Sequence, residues 1–324
     1  MISINTSIVY NAIKKFDSEI ESYSNKAISN LKSLSNDVSL DSYKIDYLER
    51  LLKELESKKI MSLSIKEIEN LKNKMDEVAP TKRNIKSFSD KIIECLGYDE
   101  IRANFLPKYF HEIGIKTCVY CNSQHTLNIE VDTYTKKGKK SKERKWVAKY
   151  QVDHSYPQGD FPYLSISLFN FIPSCATCNN IKRKKLIDFK LYQDQVIDKG
   201  FLFTLNEASK DLYIVNFDKE ELIIEFYDPI KKDSKSYVPY SFEDSFHISE
   251  IYNTQKDLAE ELLLKAVIYN KEYKQTLIDN FNKAVPKTEL FNRFLVGNYT
   301  EPEEIHKRPM AKFMQDIAKD VGLI

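Results

Sequence analysis

Two Cys-x-x-Cys pairs, Cys118/Cys121 and Cys175/Cys178, are separated by 53 intervening residues. Each pair can turn two thiolates toward one ion. Two such turns supply the tetrahedral four-sulfur set that holds a structural zinc at about 2.3 Å. Four unrelated buried thiols, or a redox pair, are the alternatives; two matched pairs favour zinc. Cys95 falls on the apolar side of an expected helix and reads as core. Between the pairs lie Asp153 and His154, then Pro157 and Asn170; Asn179 directly follows the fourth cysteine, and Lys182 comes three residues later. Hydrolysis of a phosphodiester needs a base for water and groups that meet developing charge in fixed geometry. An imidazole beside a carboxylate, as at His154, suits proton abstraction at neutral pH. Adjacent strand residues point to opposite faces, so Asp153 and His154 converge on one site only through a twist or bulge.

Charge is distributed to the same end. The chain of 324 residues carries a net +1, but residues 116–190 hold 14 Lys and Arg against 6 Asp and Glu, leaving 35 against 42 elsewhere. A basic segment that coincides with the cysteine pairs points to a polyanion, whose condensed counterions are released on binding. Residues 136–145, KKGKKSKERK, read as the tip of a basic hairpin between stretches 129–134 and 146–152, which alternate like strands. Lys136, Lys137, Lys139, Lys140, Lys142, Arg144 and Lys145 would there grip a phosphate backbone, the bland alternative being a solvated charge run. Lys182 and Arg183, one helical turn past Asn179, would reach the scissile or neighbouring phosphates. His111, His125, His247 and His306 read as ordinary core or surface residues, with substrate contact an alternative for His125 alone.

The pattern CVYC…DHSYP…LFNFIPSCATCNNIK, over about residues 116–185, resembles the zinc-bearing branch of the HNH (ββα-metal) nucleases. Seven or eight spaced positions carry the likeness, over less than a quarter of the chain. It implies a ββα module in which Asp153 and Asn179 bind a catalytic Mg²⁺ or Mn²⁺, and His154 activates water. Carboxylate and amide oxygens are hard donors appropriate to those ions. By the same resemblance Asn170 braces the loop and orients the histidine, and the zinc is structural. The third letter of the motif is commonly His; Asn179 makes this an H-N-N variant, which leaves the metal preference open. Most of the family cut DNA, so DNA is the first expectation, with RNA, including tRNA, as a rival and a non-catalytic zinc module that only binds nucleic acid as a different class. The flanking regions loosely resemble HNH subunits of bacterial anti-phage systems, some of which pair with an ATPase.

The rest of the chain must position this module. Seven glycines favour helix-rich architecture. No stretch reaches the roughly 18–20 apolar residues of a membrane span, and the first residues lack signal-peptide character, so a cytoplasmic protein with no membrane partner is expected. The expected fold is α+β, mainly helical: a helical region over 1–112, the nuclease module over 113–190, and a mixed region over 191–324. Leu48, Leu51, Leu52 and Leu55, then Ile65, Ile68, Leu71 and Met75, recur at helical spacing up to Pro80. Asn84 would cap a helix ending at Gly97, and Asp99 one that kinks at Pro107 and reaches Gly114. Stretches 201–205, 213–217 and 222–227 read as a small β meander, and helical periodicity returns over 245–284 and from 303 onward.

Overall fold

Apolar residues at helical spacing build the N-terminal third, and polar caps set its boundaries. The computed structural model describes residues 3–56, 58–76, 85–134, 140–187, 189–194, 200–231, 241–284 and 288–324. A short strand β1 (Ile4–Asn5) leads into α1 (Thr6–Lys15), where the Asn5 side chain accepts the Ser7 N–H at 2.8 Å. Then come α2 (Asp17–Ser35), α3 (Ser42–Glu54) and α4 (Ile65–Asp76). Before α4 stands a reciprocal cap: Glu67 accepts from the Ser64 N–H at 2.9 Å, and Ser64 Oγ accepts from the Glu67 N–H at 3.3 Å. Helix α5 (Ile85–Leu96) stops at Gly97, whose φ of 73° is open to glycine at little cost. The expected stop at Pro80 and cap at Asn84 lie outside the described residues.

The helix expected to kink at Pro107 is instead two helices, α6 (Tyr98–Asn104) and α7 (Leu106–Ile113), broken at Phe105. A proline lacks an N–H, which the first turn of a helix does not need, so Pro107 sits inside the start of α7 and not in a bent interior. Gly97, and not Asp99, occupies the cap position of α6.

The central part contains two antiparallel hairpins. Strands β2 (Leu127–Tyr134) and β3 (Lys140–Lys149) form the first, with Asp132 opposite Arg144 and Glu130 opposite Trp146. The stretch read as a strand over 146–152 is split by a bend at Tyr150, after which β4 (Gln151–His154) pairs with β5 (Phe171–Ser174). Helix α8 (Ala176–Lys182) follows β5 after one residue and packs on β4. Strand β6 (Tyr192–Gln193) returns to pair with β1.

Beyond it, β7 (Leu202–Leu205) and β8 (Ile224–Tyr227) are antiparallel, but the third strand expected over 213–217 is the end of α9 (Glu207–Asn216) and the residue after it. Asn206 caps that helix, its side chain accepting from the Ser209 N–H, and a short apolar run fits helix and strand equally until such a cap decides. Helices α10 (Phe242–Phe246), α11 (Ile248–Asn253), α12 (Lys256–Ile268) and α13 (Lys271–Ala284) occupy the stretch read as helical; α14 (Thr288–Val296) was not expected, and α15 (Ala311–Asp320) closes the chain.

The result is mainly helical with four small two-stranded sheets among the described residues. One hydrophobic cluster runs from Ile4 to Leu323, so the core crosses the boundaries expected at 112 and 190. No described helix is long and apolar enough to cross a membrane.

Candidate functional site

The two cysteine turns are built differently and meet in one place. In the first, the Cys118 N–H donates to Gln124 O at 2.8 Å and the Asn122 N–H to Cys118 O at 2.9 Å. Asn122 closes the turn at φ 54°, a left-handed position that asparagine tolerates better than most residues. In the second, Cys175 caps α8 and its Sγ accepts from the Cys178 N–H at 3.4 Å. The four sulfurs lie within 4.8 Å of one another, close to the separation of about 3.8 Å that zinc bonds of about 2.3 Å impose on a tetrahedron. Ser123 Oγ also donates to Cys121 Sγ at 3.1 Å. Burial pushes the Cys118 thiol well above its ordinary value, a cost to its thiolate that a cation among the sulfurs would offset. The cluster fits a structural metal such as zinc.

Residues far along the chain clamp the first turn, which sequence reasoning missed. The Asn122 side chain donates to Ile305 O at 2.9 Å and Thr117 Oγ1 at 3.0 Å, and accepts from the Lys312 N–H at 3.0 Å. Tyr252 Oη donates to Cys121 O at 2.8 Å, and the Met310 N–H to Asn122 O at 2.7 Å. Asn122 sits directly after a metal-type cysteine, and that was the one signal available.

Strand β4 carries the candidate chemistry. Its pairing with β5 is regular from Gln151 opposite Ser174 to His154 opposite Phe171, without a bulge. Asp153 and His154 therefore face opposite sides of the hairpin. Asp153 Oδ2 accepts from Tyr120 Oη at 2.5 Å and lies 3.0 Å from Lys182 Nζ; all three side chains are buried. The same Nζ donates to His154 O at 2.9 Å. Lys182, expected to reach phosphates, is instead sealed in the interior. An ammonium taken out of water needs a carboxylate, and Asp153 supplies it.

His154 is 4% exposed, with its ring centroid 5.2 Å from each of Tyr98 and Phe171. Nε2 lies 3.0 Å from Ser165 O. A carbonyl can only accept, so Nε2 carries the proton and the lone pair is on Nδ1, which has no hydrogen-bond partner among the described residues. Burial lowers the pKa to about 4, opposed by the Ser165 carbonyl, and the imidazole is neutral at pH 7. Asn170, fully buried, ties the intervening loop: Oδ1 accepts from the Tyr156 N–H at 2.7 Å, and Nδ2 donates to Tyr156 O at 3.1 Å and Leu164 O at 3.0 Å.

Asn179 stands on α8, one turn before Lys182. Its Nδ2 donates to Gln151 Oε1 at 2.7 Å, a partner that the motif did not indicate. Among the described residues the four cysteines are the only cluster of three or more His, Cys, Asp or Glu donors. Of the basic residues, Lys136, Lys137 and Lys139 lie outside the described residues, while Lys140 and Lys142 are on β3. Arg144 is spoken for within the hairpin, 2.7 Å from Glu130 Oε2 and 3.4 Å from Asp132 Oδ1, because Asp132 stands directly across the ladder. Lys145, Arg183 and His125 are exposed.

An open cleft of about 840 Å³ runs between α6–α7 and the β3–β4 segment, ending at Gln151 and Asn179. No protein-family model, no curated protein and no solved structure matches the chain.

Proposed function

We propose that this chain is an HNH-type nuclease that hydrolyses phosphodiester bonds, with zinc on its four cysteines as a structural element and His154 as the general base. One observation carries the reading: the hydrogen bond from His154 Nε2 to Ser165 O fixes the tautomer that leaves Nδ1 as a base, on a strand that packs against the helix begun at the cysteine cluster. A neutral imidazole so held takes the proton of an attacking water, and its ring cannot turn away while Tyr98 and Phe171 flank it. Asn170 holds the loop that carries Ser165 and so supports the same tautomer.

As arranged, Asp153 Oδ2 is paired to Lys182 and Tyr120, while Asn179 donates through Nδ2 to Gln151, so the carboxylate and not the amide oxygen is the contested donor for a Mg²⁺ or Mn²⁺ ion. Dependence on such an ion, which the motif implies, sets the ion against Lys182 at Asp153 Oδ2.

That same closure favours a second reading, in which the module binds nucleic acid without cutting it. Incubating wild type and His154→Ala with plasmid, single-stranded DNA and tRNA, with Mg²⁺, with Mn²⁺ or with EDTA, separates the two. Cleavage that needs both the metal and His154 supports the nuclease, and the substrate cut identifies DNA or RNA. Binding without cleavage under every condition supports the second reading.

A further inference from the structure

The cleft beside the candidate site has walls of a kind that duplex nucleic acid does not use. Trp146 and Ala148 alternate along the end of β3 on one face of the hairpin, and Tyr150, at the bend just past it, lines the same cleft with its ring packed on Phe110 and its hydroxyl donating to Asn128. Opposite stands α6 with Arg102, and Tyr98 contributes to the lining with a ring that also packs on His154. Trp146 is itself held in place by His111, centroid to centroid 4.4 Å. In a duplex the base faces are covered by their neighbours, so rigid aromatic walls gain nothing from it. Unpaired bases have free faces, and each one stacked on an aromatic side chain adds about tenfold or more in affinity.

Charge agrees with a strand entering there. Lys145 forms no ion pair among the described residues. Among the described residues the ion pair of Arg102 is with Asp99, at 3.0 Å with both side chains largely exposed, an interaction weak enough for a phosphate to displace, and its guanidinium stands 5.7 Å from the Tyr98 ring. A volume of about 840 Å³ is the size of a pocket for a few nucleotide units.

We infer that this cleft seats an unpaired nucleic-acid strand, its bases against Trp146 and Tyr150 and its phosphates toward Arg102 and Lys145, leading to Asn179 and to Tyr98, whose ring packs on His154. The inference rests on the phosphodiester reading for its purpose but not for its test.

Trp146 is the only tryptophan in the chain, so its emission reports occupancy of this cleft and nothing else. The full-length protein would be titrated, without added divalent ion, with an unpaired oligodeoxynucleotide, the matching oligoribonucleotide and a duplex of the same sequence. The expected result is quenching by an unpaired strand, with affinity at least about tenfold above the duplex. Arg102→Glu and Lys145→Glu should each weaken it by about tenfold while leaving the unliganded emission unchanged. Quenching by only one sugar type supports the inference and identifies the strand. Equal quenching by duplex, or binding seen by anisotropy with Trp146 silent, or no binding at all, overturns it. Quenching without cleavage under any metal would sink the nuclease reading and leave the cleft standing; duplex cleavage with Trp146 silent would do the reverse.

Discussion

Lys182 Nζ lies 3.0 Å from Asp153 Oδ2, the lysine 1% and the aspartate 7% exposed. The pair joins α8 to β4 behind the cysteine cluster, and Tyr120, from the first cysteine turn, completes it. Two elements of the candidate site are thus held by charge and not by apolar packing alone.

Removing the lysine should therefore be expensive. Lys182→Met leaves a buried carboxylate with one hydroxyl partner, and an orphaned buried charge costs about 3–5 kcal/mol. Denaturant unfolding would read this directly; a loss below about 1 kcal/mol means that the ammonium reaches water. The companion test is thermal stabilisation by Mn²⁺: if Lys182 competes with a cation at Asp153, Mn²⁺ stabilises Lys182→Met and leaves wild type nearly unmoved.

The four-thiolate cluster predicts about one zinc per chain by elemental analysis, and its loss in Cys175→Ser. Because Cys175 caps α8, that variant should lose Trp-detected binding and cooperative unfolding together, whereas His154→Ala keeps its zinc. A Cys175→Ser protein with full zinc content would show that the sulfurs are not the ligands.

For His154 the folded pKa of about 4 lies below the ordinary imidazole value of 6.5. Between those values the unfolded chain binds a proton that the folded one refuses, so stability falls as the pH drops from 6.5 toward 4, by roughly 3 kcal/mol in all. The base form persists down to about pH 4, so cleavage should stay level through pH 6 and decline only near 4. Comparing wild type with His154→Leu in unfolding at pH 7 and pH 4.5 isolates this contribution. An acid limb near 6.5 would mean that the ring is open to water during turnover.

Asn122 ties the first cysteine turn to residues 305, 310 and 312. Asn122→Ala orphans buried groups and puts an alanine at φ 54°, for an expected loss of about 2–4 kcal/mol. Asn122→Gly relieves the backbone strain and should recover about 1 kcal/mol of it. Equal losses in both variants would place the whole effect in the side-chain hydrogen bonds.

Much of the local structure was legible because it is set by near neighbours. Apolar spacing marked α3, α4 and α5, and Gly97 and Gly114 marked real left-handed stops. The break at Phe105 and the helix over 207–216 were not legible, since proline position and a short apolar run each allow two outcomes until caps and packing choose.

The sequence by itself determined which four sulfurs could share one ion, because two matched short turns each present a pair of thiolates; the structure brings them within 4.8 Å. It also determined that Asp153 and His154 alternate across a strand. Only the tertiary structure decided what each of them faces. Tyr120 lies 33 positions from Asp153, Lys182 lies 28 from His154, and Lys312 lies 190 from Asn122. Spacing along the chain says nothing about such partners. They are selected because a polar group removed from water must find its complement among whatever the packed core brings within reach, and a lysine that reads as a phosphate contact in the motif is claimed by the nearest buried carboxylate.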